Sequence, residues 1–263
     1  MKHAYGWLRG NRMVWKGGLG SGGESYSYGW PSGGSSESDV VFQVLYNETS
    51  SPVVDVVQSF NIPCEGTPTF EQAATGPWAG LSPGIDFYSG RARDYTNTPD
   101  ADWAIGTSDF TFEWVMKLDS RAPLGAPYPI IGFMKHDDAR GIGVLAYRRN
   151  PSACYIRCSI ITEDSTSVHA NHFVDTLSDV WVDGEIHKYR WTGDRDGSSE
   201  LFVDGVTQGT TAVLAALDGK TIPVKAVQAA ADSGGGQPTF PGVLYESRVS
   251  KNLTNNSGGP GGG

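Results

Sequence analysis

The chain has 263 residues, 35 of them glycine and 15 proline, with 11% aromatic and 19% charged side chains and a net charge of −9. That length holds one large domain or two small ones around a real core, and a composition rich in Gly, Ser, Thr, Trp and Tyr favours strands and turns over helices. The acidic balance argues against nucleic acid as the main partner, and no apolar run approaches the ~18 residues of a membrane span.

Residues 1–38 form a Gly/Ser-rich segment carrying Tyr5, Trp7, Trp15, Tyr26, Tyr28 and Trp30. Its first 23 residues hold Lys2, Arg9, Arg12 and Lys16 and no acid, so a basic arm precedes an acidic body. Glycine and serine alone describe a flexible linker, but large aromatics in such a segment mark contacts. The arm is therefore expected to dock on a partner through Tyr5, Trp7, Arg9, Arg12, Trp15, Lys16, Tyr28 and Trp30. It has no apolar core of the kind a signal peptide needs, so the protein is expected to be made and kept in the cytoplasm, or to leave by another route.

From residue 39 onward, β-rich runs recur with Gly, Pro, Asn and Asp between them, at 39–47, 52–60, 85–89, 109–118, 129–136, 141–149, 153–162, 167–174, 185–192, 199–206, 222–230 and 241–250. In 109–118 the alternation is strict, with Phe110, Phe112, Trp114 and Met116 on one face and Thr111, Glu113, Val115 and Lys117 on the other. About twelve short strands at this spacing predict an all-β, two-sheet antiparallel jelly-roll sandwich over 39–250. Residues 211–219 are the one helical candidate, and 251–263 form a Gly-rich tail.

Three cysteines, Cys64, Cys154 and Cys158, make a poor disulfide framework. Cys154 and Cys158 lie four residues apart, roughly 13 Å along a strand, too far to pair within it. They read as free thiols, and no Cys/His cluster suggests zinc.

The stretch 181–205, WVDGEIHKYRWTGDRDGSSELFVDG, holds His187 among several acids. On a strand His187 shares a face with Tyr189 and Trp191, while Lys188 and Arg190 point the opposite way, so the histidine is expected to pack inward. Asp183, Asp196 and Asp204 each precede glycine, a pairing that suits turns needing φ > 0. The order Asp183-Gly184, His187, Asp196-Gly197 and Leu201-Phe202-Val203-Asp204-Gly205 resembles the laminin-G-like group of the concanavalin A-like superfamily. "IGTSDFTFEWVMKL" (105–118) and "TFPGVLYESRVSKNLT" (239–254) look like two further strands of that family, in the same order.

The resemblance implies a concanavalin A-like sandwich and leaves its use open, since this fold serves lectins, adhesion modules, enzyme accessories and virion proteins. Some relatives hold one Ca²⁺ at the sandwich rim, which makes Asp194 and Asp196 candidate ligands. Otherwise no metal or cofactor is expected. Related β-glucanases place two carboxylates on one strand as E-x-D-x-x-E, and the chain lacks that motif; it also lacks G-x-S-x-G, so no enzyme is expected. Trp78 and Trp103 sit in loop-like sequence, as candidate glycan platforms or as caps on the sandwich ends. The leading expectation is a structural protein of a virus particle, a phage capsid decoration or tail component. It would dock on a major capsid or tail protein through residues 1–38 and act as a homo-oligomer or within the assembly. The alternative is a glycan-binding adhesion module that meets host-surface glycans; a polysaccharide-cleaving enzyme comes last.

Overall fold

A computed structural model describes residues 7–8, 13–14, 39–44, 46, 53–55, 57–66, 69–71, 84–87, 93–96, 99–118, 127–133, 140–150, 153–173, 184–229 and 242–253. Trp7–Leu8 (β1) and Met13–Val14 (β2) pair only with each other, Trp7 opposite Val14. The strands that follow are Val40–Val44 (β3), Val53–Asp55 (β4), Phe60–Ile62 (β5), Cys64–Glu65 (β6), Thr69–Glu71 (β7), Gly84–Asp86 (β8), Arg93–Thr96 (β9), Phe110–Leu118 (β10), Pro127–Gly132 (β11), Gly141–Asn150 (β12), Ala153–Ile161 (β13), Ser167–Phe173 (β14), Ile186–Gly193 (β15), Ser198–Val203 (β16), Val206–Val213 (β17), Val227–Ala229 (β18) and Gly242–Ser250 (β19).

β3 to β19 build two antiparallel sheets. The ten-stranded sheet runs β17-β16-β15-β10-β19-β3-β4-β5, with β8 beside β19 and β7 beside β8; the seven-stranded sheet runs β14-β13-β12-β11-β18-β9-β6. Their inner faces enclose one apolar core. Phe110, Phe112, Trp114 and Met116 of β10 face Phe133, Ile142, Val144, Ile156, Cys158 and Ile160 from the other sheet. Phe112 meets Phe133 at 5.7 Å between ring centroids, and Trp114 stacks on Tyr189 at 5.4 Å. Each such ring buries enough area to contribute about 1.5–3 kcal/mol.

Three details differ from the sequence expectation. The run 52–60 is a hairpin rather than one strand, because the Asp55 carboxylate caps the Val57 N–H at 3.1 Å and Ser59 turns the chain at φ 56°. The helical candidate 211–219 is the end of β17 followed by a single 3-10 turn, Ala215–Leu217. The second face of β10 is covered too, with Thr111, Glu113 and Val115 all buried. β10 is central in its sheet, and long side chains of β15 and β19 lie across it from both sides.

Candidate functional site

The 181–205 stretch forms β15 and β16 and the turns around them. Asp204 (φ 50°) and Gly205 (φ 82°) make the two-residue connection from β16 to β17, where Val203 pairs with Val206. Two consecutive positive φ values are what a tight type I′ hairpin needs. Asp204 also reaches back across β15. One carboxylate oxygen accepts the Lys188 N–H at 2.9 Å, and the other lies 2.7 Å from His187 Nδ1. Burial works against the Asp204 carboxylate, but the His187 and Lys188 hydrogen bonds hold its pKa below the ordinary value. His187 retains 15% side-chain exposure and meets Tyr189 edge-on at 6.3 Å. The pair is a clasp that pins a hairpin to its neighbouring strand. Gly184 also takes positive φ (83°); Gly197 does not, and there a Cβ would lie 2.5 Å from the Asp194 carboxylate. Asp183 lies outside the described residues.

Asp194 and Asp196 stand side by side in the β15–β16 turn. Their mutual hydrogen bond is the first cause, ahead of burial, that raises the Asp194 pKa. The residue between them, Arg195, is buried and ties this end of the sandwich together. Its N–H meets Asp109 at 2.8 Å, and its guanidinium donates to the carbonyls of Gly106 (3.3 Å), Ser108 (3.4 Å), Leu217 (2.5 Å) and Lys220. Among the described residues, no group of three or more His, Cys, Asp or Glu side chains is placed to hold a metal ion.

Trp103 is not a platform. It is 0% exposed, in the 3-10 turn Ala101–Trp103, because its ring fills the core between Phe42, Phe60 and Phe133. Trp78 lies outside the described residues, as do Tyr5, Arg9, Arg12, Trp15, Lys16, Tyr28 and Trp30. Of the arm positions only Trp7 is described, in β1.

The candidate site lies on the outer face of the seven-stranded sheet. Ile156, Cys158 and Ile160 of β13 point into the core, which turns Tyr155, Arg157 and Ser159 outward. The registers line up one row across six strands: His169, Ser159, Gly143, Gly132, Gln228 and Tyr95. A second row joins Asn171, Arg157, Leu145 and Pro129, and a third joins Phe173, Tyr155, Tyr147 and Pro127. Gly143 and Gly132, adjacent in the first row, are buried, as are Ser159 (2% exposed) and Tyr155 (5%), while His169 is exposed and Arg157 half-buried. The Ser159 hydroxyl and His169 Nδ1 are 3.0 Å apart, and the Arg157 guanidinium lies 5.9 Å from the Tyr155 ring centre. Burial, and then the Arg157 charge, lower the His169 pKa, so the neutral imidazole is favoured. The exposed His169 and half-buried Arg157 can hydrogen-bond to a ligand from this side of the sheet. Its sequence signal was the period-two pattern of 153–161, which puts Tyr155, Arg157 and Ser159 on one parity.

No family model matches the chain, and no curated protein is similar to it in sequence. Solved structures are similar in fold. The receptor-binding domain of botulinum neurotoxin D aligns with a TM-score of 0.58 and 11% identity, over 83% of this chain and 50% of that one. The binding domain of Paraclostridial Mosquitocidal Protein 1 aligns with a TM-score of 0.59 and 13% identity, over 83% and 50%. The ligand-binding domain of botulinum neurotoxin serotype D, solved in complex with N-acetylneuraminic acid, gives 0.58 and 12%, over 83% and 48%. The chain thus spans about half the length of each, and at these identities the likeness shows a shared β-sandwich fold.

Proposed function

We propose that this chain is a non-enzymatic carbohydrate-recognition module that binds through the outer face of the seven-stranded sheet. The observation that carries the reading is the placement of the exposed His169 and the half-buried Arg157 on that face, with the His169 imidazole 3.0 Å from the Ser159 hydroxyl. Sugars are ringed with hydroxyls, which guanidinium and imidazole side chains hydrogen-bond. The sugar complex of one neighbour of similar fold agrees with this use. A glycan array probed with the full chain tests it. Binding to a defined set of glycans, lost in Arg157→Ala and His169→Ala at unchanged melting temperature, is the expected outcome. Silence across the array, or variants that bind as the parent does, would end the reading.

A second reading concerns residues 1–38. β1 and β2 pair as a hairpin, and the four residues joining them, Arg9-Gly10-Asn11-Arg12, concentrate positive charge. This supports an arm that docks the module on an acidic partner within a larger particle, such as a phage capsid or tail. Deleting residues 1–38 should leave the sandwich folded and abolish that attachment; co-sedimentation of the truncated chain with particles would contradict it.

A further inference from the structure

His169 stands on β14, the edge strand of the seven-stranded sheet, and points outward because its neighbour Val168 packs against the core. Its Nδ1 lies 3.0 Å from the hydroxyl of Ser159, a residue that is itself buried. That contact anchors the ring and leaves Nε2 as the nitrogen that can meet a ligand. A hydroxyl both donates and accepts, so Ser159 can donate to an unprotonated Nδ1 and accept from a protonated one. The imidazole can therefore change its charge without losing its anchor, and in the charged form Nε2–H is a donor.

The charges around this ring are of one sign. Arg157, one row along on β13 with the Tyr155 ring beyond it, acts on His169 by repulsion. β17 and the 3-10 turn Ala215–Leu217 also pack against β14, and neither has an ionisable side chain. In the turn from β13 to β14, Glu163 is held by Lys225 at 3.3 Å and Arg140 at 3.8 Å, and Asp164 by Lys220. A proton on His169 thus sets a second positive charge beside Arg157, and an anion placed between the two would turn that repulsion into attraction.

We propose that the glycan taken by this face is an acidic one, whose carboxylate or sulfate sits between Arg157 and the Nε2–H of a protonated His169. This assignment rests on the carbohydrate reading of the same face and adds to it the class of sugar and its pH dependence. The anionic oxygens accept charge-assisted hydrogen bonds from the two cations. Burial, and then the Arg157 charge, keep the free ring below the ordinary histidine value of about 6.5, and the bound anion raises it. By linkage, affinity rises as pH falls from above the bound-state value to below the free one. A neutral sugar has no charge to set against the added proton and gains nothing from it.

A glycan array carrying matched neutral, sialylated, glucuronate-terminated and sulfated oligosaccharides, probed with the full chain at pH 7.5 and pH 5.0, tests this. Acidic members should bind better than their neutral counterparts, and titration of the best one should show about tenfold higher affinity at pH 5.0. The acidic class that binds most tightly assigns the anion as carboxylate or sulfate. His169→Gln keeps a hydrogen-bonding group for Ser159 but cannot take the charge, so its affinity should not change with pH. In proton NMR of the parent, saturating acidic glycan should raise the pH at which His169 titrates, a shift that a merely structural imidazole would not show. Three results would overturn the proposal and leave the carbohydrate reading standing: acidic glycans that bind equally at both pH values, neutral counterparts that bind as well, or an acid-side gain that persists in folded His169→Gln. Silence across the array at both pH values would end both.

Discussion

The indole N–H of Trp103 donates to the Asp55 carboxylate at 2.6 Å, with both residues 0% exposed. The other Asp55 oxygen takes the backbone N–H groups of Gln43 (2.9 Å) and Val57 (3.1 Å). Both oxygens therefore face donors, and one carboxylate joins β3, the β4–β5 turn and the Trp103 turn.

That geometry makes Asp55→Asn unusually informative. Whichever way the amide is turned, its NH₂ meets a donor, so the variant should lose about 1–3 kcal/mol. Trp103→Phe removes the indole donor and is destabilising by itself. In the double variant the amide NH₂ can occupy the vacated side, so the two effects should combine to less than their sum by about 0.5–3 kcal/mol. Urea midpoints of the four proteins measure this cycle, and strict additivity would show that the two residues do not depend on one another.

Asp55 and Asp204 should bend the pH profile in opposite directions. Burial, the dominant influence, raises the Asp55 pKa above its unfolded value of about 4. The folded state then holds that proton more tightly, so Asp55's contribution is greatest below the unfolded pKa and is lost as pH rises through the folded one. Asp204 is lowered, so its contribution is present above the unfolded pKa and lost as pH falls through the folded one. Urea midpoints from pH 3 to 7 should therefore fall less steeply at the acid end for Asp204→Asn than for the parent. An acid limb of the same slope would show that the clasp to His187 does not matter to stability.

The fold was legible because its signals are local. The alternation of 109–118 and the Asp-Gly pairs describe β10 and two of the turns from neighbours in sequence alone. Trp103 was not legible as core, since Pro, Asp and Gly around it read as loop and its partner Asp55 lies 48 residues away. The six-strand row on the seven-stranded sheet is likewise a property of register: Gly132 and Gly143 become neighbours only when β11 and β12 pair. β9 escaped notice because only two strand-favouring residues, Tyr95-Thr96, follow Arg93-Asp94, and the segment is held in the sheet by β18 and β6.

The same dependence on neighbours ranks two glycine substitutions. Gly242 pairs with Leu118 at the start of β19, and a Cβ there would lie 2.0 Å from the Lys117 carbonyl oxygen and 3.1 Å from the Leu118 Cα. Both obstacles are backbone of the central strand, so neither can rotate away, and β19 would have to move off β10 together with the fully buried Val243 and Leu244. Gly184 is the converse: its φ of 83° disfavours a side chain, but nothing lies within 4 Å of an added Cβ. Gly184→Ala should therefore cost about 1–2 kcal/mol, from backbone conformation alone. Gly242→Ala should cost more, about 2 kcal/mol or above, as overpacking between paired strands. Urea denaturation of the two variants decides the order. If Gly184→Ala proved the more harmful, the β10–β19 seam would be looser than the register and the packing of Leu118 against Gly242 require.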